Sequence, residues 1–268
     1  MRGEILKAGT GIAFAISLLI QVGYPLAAML LFRRRTRAPW RLFAYGALIF
    51  AIFQLFTWLP LSYYLDVTIG ARLHSETAAF IWLMTLAFCT ALVEETGRWC
   101  GYRFLFRRAR FPLTWRNGVA FGMGHAALEG MLFIAGLTFI YLVAYIAIAN
   151  ADVTQLLTGL GAEAGDELTS ALLSIAQTSW DQPIMVALER VLALPHQVAW
   201  ALLVMSSLAY RQKRWFGFAV LYHTSIAVIV PGLARLAGFV WAEGVNVLLA
   251  AVSLWIIYRL YKVSEGAA

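Results

Sequence analysis

Seven stretches of this chain are apolar for on the order of 20 residues each, the length of helix needed to cross about 30 Å of hydrocarbon. They fall near residues 9–32, 42–63, 77–93, 117–149, 183–209, 216–233 and 237–260. Apolar runs of that length predict transmembrane helices. The expected fold class is therefore all-α, a polytopic integral membrane bundle of about seven transmembrane helices. Composition excludes the soluble alternative. Of 268 residues, 62% are hydrophobic and only 13% charged, roughly half the charged fraction of a soluble domain. The fourth stretch is long enough to tilt or to extend beyond the bilayer. Segment 150–182 is too polar to span and predicts an external loop carrying a short amphipathic helix near 167–177. With no repeat, low-complexity tract or soluble domain, residues 1–268 predict a single integral membrane domain. The first stretch ends in RRRTR with no small-residue cleavage site, so it predicts an uncleaved anchor. Cys89 and Cys100 are expected to be free thiols.

Charge orients the spans. Arg33, Arg34, Arg35, Arg37 and Arg41 follow the first span, and Arg98, Arg103, Arg107, Arg108, Arg110 and Arg116 separate the third from the fourth. Arg211, Lys213 and Arg214 follow the fifth; Arg259 and Lys262 end the seventh. Thus 16 of the 21 basic residues lie on alternate connections, which predicts that these are cytoplasmic. The opposite connections carry Asp66, Glu76, Asp152, Glu163, Asp166, Glu167, Asp181 and Glu243. The expected N-terminus is outside, the C-terminus cytoplasmic, and the location the bacterial cytoplasmic (inner) membrane. Topology accounts for the basic excess, so no nucleic-acid partner is expected.

Ionisable side chains inside spans are costly and point to function. Glu94 and Glu95 end the third span; His125 and Glu129 lie in the fourth; Glu189, Arg190 and His196 in the fifth; His223 in the sixth. At 1.5 Å per residue from the cytoplasmic charges, Glu94 lies ~6 Å deep, His125 and His223 ~12 Å, Glu129 ~18 Å and His196 ~20 Å. Four helices thus present polar groups to one layer. Glu94 and Arg98 are i,i+4 and share a face, while Glu95 points about 100° away. Two adjacent carboxylates differ in acidity when one pairs with Arg and the other is desolvated. His125 and Glu129 are again i,i+4, so the carboxylate can orient the imidazole or act alongside it, and Gly122 and Gly124 let a neighbouring helix or a substrate backbone come close. Pro195 predicts a kink near His196. Taken singly, each has a structural reading. Glu94–Arg98 reads as a helix-end salt bridge, His196 as a helix–helix hydrogen bond and Glu189 as a partner of Arg190. Glu243 and Asn246 read as interfacial, and the aromatics as belt and packing material. The shared depth of the Glu pair and two histidines favours a functional layer.

These residues resemble a known pattern. Glu-Glu-x-x-Arg (Glu94, Glu95, Arg98), Phe-x-x-x-His (Phe121, His125) and a later His (His223) resemble the CPBP superfamily. That group holds the CAAX prenyl endoproteases and the bacteriocin-processing, Abi-type membrane proteins. The spacing of Arg98, the Gly-His-x-x-x-Glu of Gly124, His125 and Glu129, and Glu189-Arg190 before His196 are more similar to its YhfC-like branch of intramembrane metalloproteases. The resemblance covers about 90–230. It implies endopeptidase activity in or beside the membrane, from a cavity open to the cytoplasm, on a membrane protein or peptide substrate. By the same resemblance Glu94 or Glu95 is the base activating water, Arg98 completes the motif, and His125 and His223 bind metal or stabilise an oxyanion. The implied ligand set is His125, Glu129, His196 and His223, holding zinc or no metal at all. One departure stands out: Ala227 occupies the position, four residues after the last His, where the superfamily usually has Asn or Asp.

Two other functions compete. A non-catalytic assembly or chaperone subunit, bound to a membrane partner protein, would retain the layer without the chemistry, and Ala227 favours it. A proton-coupled transporter would also use a Glu/His layer, but the chain lacks inverted repeats and its charges cluster near one face.

Overall fold

The computed structural model of the chain describes residues 2–149 and 166–266. Among the described residues the secondary structure is helical, and seven helices are long and apolar enough to cross a membrane. They are α1 (Gly9–Thr36), α2 (Trp40–Arg72), α3 (Glu76–Ala109), α4 (Trp115–Ile148), α6 (Asp181–Ala209), α7 (Arg214–Ala237) and α8 (Phe239–Ser264). A short helix, α5 (Asp166–Ala176), lies where the amphipathic segment was expected. Residues 150–165 of the expected external loop lie outside the described residues.

Local chemistry explains several helix boundaries. The Ser75 hydroxyl accepts from the Ala78 N–H at 3.1 Å and starts α3, satisfying one of the donors a helix start leaves open. That helix does not stop with the apolar run near Val93 but continues through Glu94, Glu95 and Arg98 to Ala109. Nothing between them interrupts the backbone: Gly101–Phe106 is taken up as a wider, π-helical turn. The helix ends only where Arg110 adopts the left-handed conformation (φ 56°) ahead of Pro112. The sequence reading placed Arg98 in a connection; the backbone places it inside a span. Arg37 and Arg211 also have positive φ (58° and 54°), so each of three basic connections turns through a left-handed arginine. In α6 the helix runs unbroken through Pro195.

The contacts divide into two compact units. The first comprises residues 1–24 and 130–191. Within it Thr138 Oγ1 donates to Gln21 Oε1 at 3.1 Å, Gln21 Nε2 donates to Ser17 Oγ at 2.8 Å, and Phe14 packs against Tyr145. The second comprises residues 25–129 and 192–268 and contains the glutamate pair. Its tightest crossing is between α2 and the first half of α4. A methyl group on Gly46 would overlap the Phe121 carbonyl, and one on Gly124 would overlap the Phe43 backbone. Gly122 meets the backbone of α6 at Gln197 and Val198 in the same way. Small residues let helices in lipid approach to backbone contact. Here that approach brings His125 edge-on to the Phe50 ring, with centroids 5.2 Å apart. Helix α7 packs on α3 and on α8, which sets His223 over the glutamates.

Candidate functional site

Arg98 is the centre of the polar cluster. Its side chain is fully buried, and its guanidinium Nη1 donates to Glu95 Oε1 while Nη2 donates to Glu94 Oε2 at 3.0 Å. One planar fork therefore holds both carboxylates. The expectation that Glu95 would point away from Arg98 is corrected: at i,i+3 and i,i+4, both carboxylates lie within reach of separate guanidinium nitrogens. Each carboxylate has its own imidazole. His125 Nε2 lies 3.2 Å from Glu94 Oε2, and His223 Nδ1 lies 2.8 Å from Glu95 Oε1. Helices α3, α4 and α7 thus build two Glu–His pairs around one cation.

A fourth helix closes the set with a residue absent from the sequence-based candidates. Gln197 of α6 accepts from Arg98 Nη2 through Oε1, and its Nε2 donates to Glu129 Oε2 at 2.5 Å. Glu129 begins the π-helical turn Glu129–Ile134, and its hydrogen bond goes to α6. The expected His125–Glu129 pair is replaced by Glu94–His125 and Gln197–Glu129. Trp200, one turn beyond Gln197, is 5% exposed. Its ring stacks on His223 at 3.8 Å and 10° and lies 5.7 Å from the Arg98 guanidinium carbon. Nothing in the sequence separated this Trp from belt aromatics. Gln197 carried a weak signal, as an amide in an apolar run.

His196 belongs to a neighbouring group. Its Nδ1 lies 2.8 Å from Ser253 Oγ and its Nε2 lies 3.1 Å from Asn246 Oδ1, both on α8. Asn246 Nδ2 in turn donates to Glu243 Oε2 at 3.2 Å. Glu243 and Asn246 are buried, so the interfacial reading of this pair is corrected: α8 turns them inward to meet His196. Trp200 connects the two groups, its ring also stacking with His196 at 5.9 Å and 19°. Glu189 lies in the first unit and pairs with Arg190 at 3.2 Å.

Several atoms at the cluster lack partners. Glu95 Oε2, Arg98 Nε, Tyr102 Oη and His125 Nδ1 are buried with no hydrogen bond. Such groups each cost about 1–3 kcal/mol, so their concentration within a few helical turns is not what stability alone would select. Glu94 differs from Glu95. Its Oε1 makes no hydrogen bond among the described residues and is not among the fully buried orphans, and 6% of its side chain remains exposed against 0% for Glu95. The Nε2 of His223 is likewise without a partner among the described residues, and that side chain is 7% exposed.

A metal was one expectation for this layer. Among the described residues no three His, Cys, Asp or Glu side chains are grouped to hold one. Glu129 is bonded by Gln197, and His196 faces α8. The positive charge facing both carboxylates is the Arg98 guanidinium. In this arrangement the donors do not fit a metal ion.

Comparison with known proteins agrees with the architecture. A family model described as YhfC intramembrane metalloprotease matches residues 16–252. The uncharacterized membrane protein YhfC of Bacillus subtilis (strain 168) is 30% identical over 249 residues, covering 89% of this chain and 90% of that protein. No solved structure matches significantly.

Proposed function

The chain belongs to the YhfC intramembrane metalloprotease family and is an integral membrane protein of the bacterial inner membrane, and on that premise we propose that it hydrolyses peptide bonds in or beside the bilayer. The observation that carries this reading is the open Oε1 of Glu94, on a carboxylate fixed by Arg98 and His125. Glu94 takes a proton from water through Oε1 as the water oxygen attacks the scissile carbonyl carbon. The carbonyl oxygen becomes the oxyanion and is met by Nε2 of His223, which in its imidazolium form donates from both nitrogens. Glu95 fixes that ring through Nδ1 and Trp200 fixes its plane. The C–N bond then breaks, and Glu94 returns its proton to the leaving amine. Arg98 keeps both carboxylates in register and moves no proton. Gln197 holds Arg98 from the opposite side. No step of this proposal runs through a metal, and Arg98 supplies the positive charge beside the carboxylates. Ala227 at the position of the superfamily's Asn or Asp leaves the oxyanion contact to His223. Membership of the wider CPBP superfamily is part of the same proposal.

The test compares peptide termini in membranes of a deletion strain with and without the wild-type gene. Wild type should generate at least one terminus absent from the deletion strain, and it should persist in isolated membranes treated with a zinc chelator. Loss with chelator and recovery with zinc would mean that the carboxylates leave Arg98 for a metal. No terminus at all would favour the assembly-subunit reading.

The orientation proposed with this function has the N-terminus outside and the Arg-rich connections cytoplasmic. A cysteine introduced at Arg108 should therefore escape an impermeant thiol reagent in intact cells and react after permeabilisation. Reaction in intact cells would invert the topology.

A further inference from the structure

Residues 5–65, 96–128 and 190–242 contain no Asp or Glu at all, yet they carry three Arg-rich connections. The counter-ions for these cations therefore lie outside those parts of the chain. In the second unit the third connection borders a cavity of about 450 Å³, lined by Thr96 and Trp99 of α3, Leu208 of α6, the connecting residues Arg211 and Lys213, and Phe216 of α7. Its size is that of a small-molecule site. Ser207 also lines it, but its hydroxyl donates to the Val204 carbonyl at 2.7 Å.

The chemistry of this lining is one-sided. Arg211 and Lys213 are exposed, and neither side chain has an ion pair or hydrogen bond with another described residue. Between them they offer up to eight N–H donors and no acceptor. The Thr96 hydroxyl and the Trp99 indole N–H add donors, and no carboxylate lines the space. Lys213 caps the start of α7, a helix of 24 residues, whose positive dipole end adds to the field. The turn is held in shape: Arg211 has φ 54°, and the Gln212 N–H donates to the Ser207 carbonyl at 3.0 Å. The apolar part of the lining is Leu208, Phe216 and the Trp99 ring. A ligand that satisfies this lining is anionic at one end and apolar at the other.

We propose that this cavity binds an anionic phospholipid, with the headgroup phosphate between Arg211 and Lys213 and the glycerol and first acyl methylenes against Trp99, Leu208 and Phe216. An acidic peptide would satisfy the cations but not the apolar wall, and a lipid reaches a cavity at the membrane surface without leaving the bilayer. Basic pockets between transmembrane helices on the side rich in Lys and Arg are suited to such headgroups, at about a fivefold gain in affinity for each cation near the surface. The assignment is independent of whether the protein hydrolyses peptides.

The experiment titrates the purified full-length protein in detergent with phosphatidylglycerol or phosphatidylcholine and reads bound lipid by native mass spectrometry. Phosphatidylglycerol should be retained at lower concentration than phosphatidylcholine. Arg211→Gln,Lys213→Gln should weaken its retention on the order of tenfold or more. The control Arg107→Gln,Arg108→Gln, which removes two other exposed cations, should leave it unchanged. If the first double variant does not purify as a single species, Lys213→Gln alone carries the test, with roughly a fivefold loss expected. Equal loss in both double variants, no loss in the first, or no preference over phosphatidylcholine would each overturn the site. Displacement of the lipid by penta-aspartate at comparable concentration would replace it with an acidic-peptide site.

Discussion

Arg98→Met should destabilise the protein by about 3–5 kcal/mol, the cost of removing one partner from a buried ion pair. The substitution keeps a long apolar stem while deleting the fork that holds Glu94 Oε2, Glu95 Oε1 and Gln197 Oε1. Two buried carboxylates then lose the guanidinium between them, and their charge is left uncompensated. In a thermal melt of the detergent-purified protein the midpoint should fall by roughly 10 °C. Arg98→Lys should recover only part of that loss, because an ammonium is a point charge and cannot span two carboxylates and an amide as a planar guanidinium does. A midpoint within a degree or two of wild type for Arg98→Met would mean that the guanidinium is not what holds α3 to α6.

The two glutamates should separate in rate. Glu94→Gln keeps side-chain volume and one oxygen but removes the base, and should slow appearance of the wild-type-dependent terminus on the order of 100-fold or more. Glu95→Gln keeps an oxygen for the His223 Nδ1 and for Arg98 but loses the carboxylate charge, so a smaller loss is expected. The asymmetry rests on one geometric fact. Glu94 has an oxygen free of hydrogen bonds and not fully buried, whereas the spare oxygen of Glu95 is sealed. Both variants should insert and fold, since neutralising a carboxylate in a span is not intrinsically costly. A Glu95→Gln loss as large as that of Glu94→Gln, with the melting point preserved, would move the base to Glu95.

Much of this architecture was legible in the sequence, for a simple reason: spanning helices need length and hydrophobicity, and both are local properties. The grouping of the polar residues was legible too. Counting residues from the Arg-rich connections placed Glu94, His125 and His223 in one layer, and the helices bring them together through Arg98. Pairing within the layer was not. It depends on which faces meet, and here backbone contacts at Gly46, Gly122 and Gly124 decide that. Charge does not mark the end of α3. The backbone limit is the left-handed Arg110 before Pro112, and Arg98 is sheltered by Gln197 and Trp200. Gln197 does not stand out in the sequence because an uncharged amide looks inexpensive beside a histidine. Its place between Arg98 and Glu129 is set by tertiary packing. His196, the deepest of the candidates, turned out to face α8 and to reach the cluster through the Trp200 ring.

The central claim is that water activated by the Arg98-held glutamates cleaves a peptide bond. Its most direct test returns Glu94→Gln,Glu95→Gln to the deletion strain at wild-type membrane abundance and compares the peptide termini of the two membranes. The account predicts that every terminus dependent on the wild-type gene disappears while the variant protein, though destabilised by an Arg98 left without a carboxylate, remains inserted. Persistence of those termini, or rescue of every deletion phenotype by the double variant, would contradict it.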